Sequence, residues 1–188
     1  RRSPLLRTSN FALRTSQYSA LSTPTALDFG YSARAGVVYI LLRVLVGTAG
    51  PREVVFMHLY IMRHGIAFEP HEWQGSDATR PLTDEGRVRT REVVDGLKRD
   101  GKLDASVIWT SPLVRAKETA DIAADVLKVP VKIVDALRSG TDLEQLLKDF
   151  QKRKPLPDRL MLVGHQPDLG EIIGELVGDS KTDYSLKK

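Results

Sequence analysis

The chain has no cysteine, so disulfides, thiolate metal sites and a cysteine nucleophile are excluded. It has no pair of histidines at helical spacing with a carboxylate cluster beside it, and no glycine-rich phosphate loop, so neither a metal site nor a cofactor is expected. No apolar run approaches the roughly 20 residues that span a bilayer. The longest, "VVYILLRVLVG" at 37–47, is short and is interrupted by Arg43. What remains is 188 residues with 41% hydrophobic content, which suits one domain with a real core.

Charge is unevenly spread. Residues 1–56 hold seven arginines, no lysine and two acids, Asp28 and Glu53, a net +5, whereas the rest carries 21 basic and 22 acidic residues, a net −1. The basic character therefore belongs to the first segment, which is rich in Ser, Thr and Arg and shows no period of helix or strand. Such a segment fits an organelle transit peptide or a basic arm. Composition favours a third reading, translation from upstream of the true start, because the first methionine is Met57. Residues 1–56 are accordingly expected to be a leader without regular structure or not native to the protein, and residues 57–188 to be the domain. Removing the leader should then leave activity and melting temperature unchanged. A cytoplasmic location follows, with organelle import if the leader is a genuine transit peptide. Nucleic-acid binding would rest on the leader alone, without a recognised motif, and neither a nucleic acid nor a membrane is expected as partner.

From Met57 the pattern becomes regular. "HLYIM" (58–62), "SVIWT" (106–110), "VKIV" (131–134) and "RLMLVGH" (159–165) read as short buried strands. Between them, Thr83 caps a helix with Asp84 and Glu85 in its first turn. Ser111 and Pro112 read as the cap and first residue of a second helix, and Thr141-x-x-Glu144 as a capping box. A last helix runs over "PDLGEIIGELVG". Strands alternating with helices argue a three-layer α/β/α sandwich with a mainly parallel sheet.

In such a sheet ligands sit beyond the carboxyl ends of the strands. Arg63 and His64 end the first strand, Ser111 and Arg115 follow the second, and His165 ends the fourth. Two guanidiniums and two imidazoles converging on one edge suit a phosphate dianion. A neutral imidazole there can attack phosphorus and hold the phosphoryl group, while a second, protonated, stabilises the transition state. Gly65 is expected to let the backbone approach the anion.

"LYIMRHG", "TSPLVRAKETA" and "LMLVGHQPDLG" resemble the three signature segments of the histidine phosphatase superfamily, which includes the cofactor-dependent phosphoglycerate mutases. Arg-His-Gly alone arises by chance in about one chain of this length per hundred, so the resemblance rests on the three segments together. The length from Met57 and "RPLTDEG" after the first motif are most similar to SixA-type phosphohistidine phosphatases. The resemblance covers residues 57 to about 188 and implies a phosphoglycerate mutase-like fold. It makes His64 the phosphorylated nucleophile and Arg63 and Arg115 the phosphate ligands, with His165 completing the pocket and Arg80 at its rim. Related proteins continue past the last helix into further strands, so the chain is expected to be truncated there, with a sheet edge exposed.

The substrate turns on the general acid. Many relatives use a glutamate after the second signature to protonate an alcohol leaving group. Here the region offers Asp135, Asp142 and Glu144, none of which stands out, and Asp77 in the loop after His64 is a further proton-donor candidate. An imidazole leaving group, with a conjugate acid near pKa 6.5, needs less help than an alkoxide. P–N cleavage is therefore favoured, with a phosphorylated histidine protein in signalling or phosphotransfer as substrate. A small phosphomonoester as substrate, or a non-catalytic phosphate-binding module, are the alternatives. His58 and His71 are expected to be structural or on the surface, and Trp73 to cover the pocket or anchor its loop.

Overall fold

Strand β3 (Glu53–Arg63) buries both faces: Met57, Leu59 and Ile61 enter one core, Tyr60 and Met62 the other. Burial on both sides explains why its sequence is continuously apolar instead of alternating. The computed structural model describes residues 22–32, 37–46, 53–140, 143–152, 155–178, 182 and 184–186. Around β3 stand β1 (Ser22–Ser32), β2 (Val37–Val46), β4 (Val107–Thr110), β5 (Val131–Ile133) and β6 (Arg159–Gly164). The helices are α1 (Asp84–Arg99), α2 (Val114–Leu127), α3 (Leu143–Lys152) and α4 (Asp168–Val177).

The sheet order is β1-β2-β3-β6-β4-β5. The ladders joining β3, β6, β4 and β5 are parallel, and β1 and β2 add antiparallel at the β3 edge. One face packs on α3 and α4 through Leu146, Phe150, Leu169, Ile172 and Ile173. The other packs on α1 and α2 through Val94, Leu97, Ala116, Ala120 and Ala123. This is the expected three-layer arrangement. Among the described residues no helix is long and apolar enough to cross a membrane.

Two expectations need correction. Thr83 does cap α1, its hydroxyl accepting from Gly86 N, but α2 begins at Val114, two residues later than Pro112. Ser111 instead continues the ladder, its N–H donating to Val163 O at 3.0 Å. The expected Thr141 cap lies outside the described residues.

The second correction concerns the leader. Residues 22–32 and 37–46 form strands, and β2 runs against the whole of β3 from Val37 opposite Met62 to Val46 opposite Glu53. Val38, Ile40 and Leu42 are at most 1% exposed and lie in the core with Leu59 and Ile61. The period was hidden because the alternate positions, Tyr39 and Leu41, are apolar too and half-buried, Tyr39 against the second core. β2 covers the edge of β3 and β1 pairs outside it.

Candidate active site

β3, β6 and β4 are neighbours, with Arg63 opposite Gly164 and Thr110 opposite Val163. The ladder runs one residue past each strand: His64 N donates to Gly164 O at 3.0 Å, as Ser111 N does to Val163 O. These bonds fix the backbone from which His64, Ser111 and His165 project. The two imidazoles come together, with ring centroids 5.2 Å apart, and both are buried, at 5% and 4% exposure.

His64 Nδ1 lies 2.8 Å from Gly65 O. A carbonyl can only accept, so Nδ1 carries the proton and Nε2 presents its lone pair. Burial drives the His64 pKa down to about 3, and the nearby His165, Arg115 and Arg63 charges add to the effect. The ring is neutral at pH 7. His165 is also neutral in the empty pocket, its pKa lowered to about 4 by burial and then by Arg115, against a smaller opposing effect of Asp77. Its Nε2 is 2.9 Å from Ser111 Oγ, and its Nδ1 is buried without a partner.

Arg63 donates from Nη1 to Leu186 O at 3.1 Å. Arg115, 5% exposed, donates from Nη1 to Asp77 O at 2.8 Å and from Nη2 to Asp77 Oδ2 at 3.0 Å. Each guanidinium is thus anchored at its far end. Their Nε atoms are buried with no partner. Arg63 Nε, Arg115 Nε and His165 Nδ1 are orphaned polar atoms, each of which costs free energy until an acceptor arrives.

Asp77 bridges two arginines, since Arg80 Nε also donates to its Oδ1 at 2.9 Å. The Arg80 hydrogen bond first, then the charge of Arg115 and its hydrogen bond, outweigh partial burial and hold the carboxyl below its usual range. In the empty pocket the ionised carboxylate is an anionic brace between Arg80 and Arg115. Arg80, 8% exposed, is itself engaged by Asp77 and Phe68 O. Asp135 and Glu144 pair with Arg138 and Lys148, and Asp142 lies outside the described residues.

Gly65 is needed for a different reason from the one expected. A Cβ there would meet Thr90 Oγ1 at 2.4 Å and Gly86 O at 3.3 Å, so its bareness admits α1 and not an anion. Gly86 is the counterpart, since its Cβ would lie 2.0 Å from Ile66 O. His58 bonds Tyr39, and His71 is exposed. A groove of about 370 Å³ along α4, lined by residues such as Gln166, Gly170 and Glu175, contains none of the basic groups and is not the centre of this chemistry.

The depressed imidazole pKa values make an acid-stability prediction. The folded chain keeps both rings neutral while an unfolded chain protonates them below about 6.5, so their contribution is intact above that pH and is lost as pH falls towards 4. At pH 5 each ring costs about 2 kcal/mol. Urea midpoints for the parent should drop between pH 7.5 and 5, and the drop should shrink in His64→Asn and His165→Asn. An equal drop in all three proteins would show that the rings are not the source.

Residues 59–171 match the model of the histidine phosphatase superfamily, branch 1. The chain belongs to that superfamily. It is 42% identical over 132 residues, 69% of this chain and 78% of the relative, to a Picosynechococcus protein described as uncharacterised. It is 28% identical over 123 residues, 64% of this chain and 74% of the relative, to the phosphohistidine phosphatase SixA of Escherichia coli K12. Among solved structures, the protein histidine phosphatase SixA complexed with tungstate matches with a TM-score of 0.59 and 26% identity, covering 69% of this chain and 83% of that one. The chain is therefore a SixA-like hydrolase of the histidine phosphatase superfamily with a phosphoglycerate mutase-like fold.

Within this superfamily member, the sequence offers Ser111 only as a helix cap at a strand end and Thr119 not at all. Ser111 holds His165, and Thr119 joins the two halves of the pocket by accepting from Gly65 N at 3.0 Å and donating to Arg115 O at 2.7 Å. Both stand inside "TSPLVRAKETA", and for Thr119 the available signal is a hydroxyl one turn from Arg115 on the same face of α2.

Proposed function

We propose that this phosphatase removes phosphate from phosphohistidine in a protein, through a phosphohistidine formed on His64. The observation that carries the reading is the set of orphaned polar atoms, the donors Arg63 Nε and Arg115 Nε and the ring nitrogen His165 Nδ1, around a histidine whose Nδ1 proton is committed to Gly65 O. A phosphoryl group supplies oxygens to all of them. His64 Nε2 attacks phosphorus, the substrate P–N bond breaks, and the departing imidazole keeps the bonding pair and takes a proton from solvent. Water then attacks phosphorus, the bond to His64 breaks, and inorganic phosphate leaves. A bound dianion also gives His165 the counter-charge that the empty pocket lacks. That raises its pKa from about 4 and lets an imidazolium stabilise the transition state.

No carboxylic acid stands ready among the described residues singled out as donors, and this supports a leaving imidazole over an alkoxide. The test is turnover of a chemically phosphorylated histidine phosphotransfer protein beside p-nitrophenyl phosphate and sugar phosphates. Preference for the sugar phosphates favours the phosphomonoesterase reading, and no turnover of any favours a binding module.

Arg115 tests whether the pocket is assembled from separate segments. Lysine keeps the charge and loses the fork, so Arg115→Lys should lower turnover roughly 10- to 100-fold, as expected for one charge-assisted hydrogen bond. Arg115→Ala should be worse, and inhibition by vanadate should weaken in the same order. Parent-like turnover and vanadate binding in both variants would remove Arg115 from the site.

A further inference from the structure

The loop between β3 and α1 spans residues 64–83. From Phe68 to Thr79 every residue except the half-buried Trp73 is exposed. Phe68 and Trp73 nevertheless pack together, with ring centroids 6.0 Å apart, and Phe68 remains 36% exposed. Trp73 Nε1 donates to Thr79 Oγ1 at 3.2 Å, and that hydroxyl donates to Ser76 O at 2.9 Å. Glu72 N closes a turn onto Glu69 O at 3.0 Å. Loop bonds of this kind hold the aromatic pair in place before any partner arrives, which lowers the ordering cost of binding.

The loop is also tied to the pocket. Arg80 donates to Phe68 O and to Asp77, and Asp77 accepts from Arg115. The aromatic pair therefore stands beside the phosphate site, linked to Arg115 through Asp77 and Arg80. Its charge is opposite to that of the site: residues 66–79 contain Glu69, Glu72 and Asp77 and no lysine or arginine, whereas the pocket presents Arg63, Arg115 and Arg80. An acidic rim repels a small free dianion, but it attracts a phosphate delivered on a cationic surface.

We propose that Phe68, Trp73, Glu69 and Glu72 form a docking surface for the protein that carries the phosphohistidine, a partner with apolar and basic residues beside its phosphorylated imidazole. This rests on the substrate reading given above. The aromatic rings supply apolar contact area, and the two glutamates set orientation and association rate. None of the four side chains is needed to hold the phosphoryl group, so the attraction they add is confined to a macromolecular substrate.

The experiment compares the full chain with Phe68→Ala/Trp73→Ala and with Glu69→Gln/Glu72→Gln. The substrates are a histidine phosphotransfer protein phosphorylated with phosphoramidate, free phosphohistidine and p-nitrophenyl phosphate. Expected for the aromatic pair is a rise in KM of about 10-fold on the phosphoprotein, with both small substrates unchanged within about twofold; their turnover also reports that the variant is folded. The glutamate pair should lose most of the salt dependence of kcat/KM on the phosphoprotein. A parent that cleaves p-nitrophenyl phosphate but not the phosphoprotein sinks the substrate reading and the docking surface together. A parent that cleaves the phosphoprotein, matched by both variants, sinks the docking surface alone. Equal losses on all three substrates also overturn it, because the loop would then only support Arg80.

Discussion

His64→Ala is expected to abolish turnover, by roughly 10³-fold or more, together with any acid-labile phosphoenzyme. The size of the effect follows from what the side chain alone provides. Its Nδ1 proton is committed to Gly65 O at 2.8 Å, and burial keeps its pKa near 3, so Nε2 is an unprotonated nucleophile throughout the physiological range. His165 is differently held, its Nε2 lying 2.9 Å from Ser111 Oγ, and among the described residues it has no backbone carbonyl fixing its tautomer as Gly65 O fixes that of His64. Rapid quenching under mild alkali, with labelled phosphohistidine substrate, should trap one phosphohistidine in the parent and none in the variant. His64→Ala should still bind vanadate, because the orphaned donors of Arg63, Arg115 and His165 remain. Label that persists in His64→Ala would place the nucleophile elsewhere and remove the mechanism.

The sequence made the pocket legible because its groups sit at strand ends. An apolar run that stops at Arg63, another that stops before Ser111 and a third that stops at His165 are visible without coordinates. Once the strands are taken as parallel neighbours, the convergence follows. The bracing contacts of Asp77 were hidden for the opposite reason: they depend on Arg80, three residues on, and Arg115, 38 residues away. No local pattern reports that a carboxylate is held between two guanidiniums. Gly65 was misread in a similar way, since the crowding comes from Thr90 and Gly86 on α1 and not from the ligand side.

The same distinction explains why β2 was missed and why its loss should be severe. Deleting residues 1–52 is expected to leave a chain that does not fold stably, the reverse of what composition and the late first methionine imply. β2 places Val38, Ile40 and Leu42, all at most 1% exposed, against Met57, Leu59 and Ile61 of β3. At about 1.5 to 3 kcal/mol per fully buried aliphatic side chain, those three residues contribute on the order of 5 to 9 kcal/mol. That is comparable with the roughly 5 to 15 kcal/mol of net stability of a whole domain. Deletion would also strip the ladder from Val37–Met62 to Val46–Glu53, leaving β3 as a long apolar edge that invites aggregation. Because β3 carries Arg63 and His64 at its end, activity should fall with stability. A milder variant separates packing from expression failure: Ile40→Ala should cost about 2 to 5 kcal/mol, read as a lower urea midpoint, while kcat on p-nitrophenyl phosphate in the remaining folded fraction stays near the parent value. If the chain lacking residues 1–52 melts and turns over like the full one, β1 and β2 are not part of the stable domain, and the cover on β3 contributes nothing to its fold.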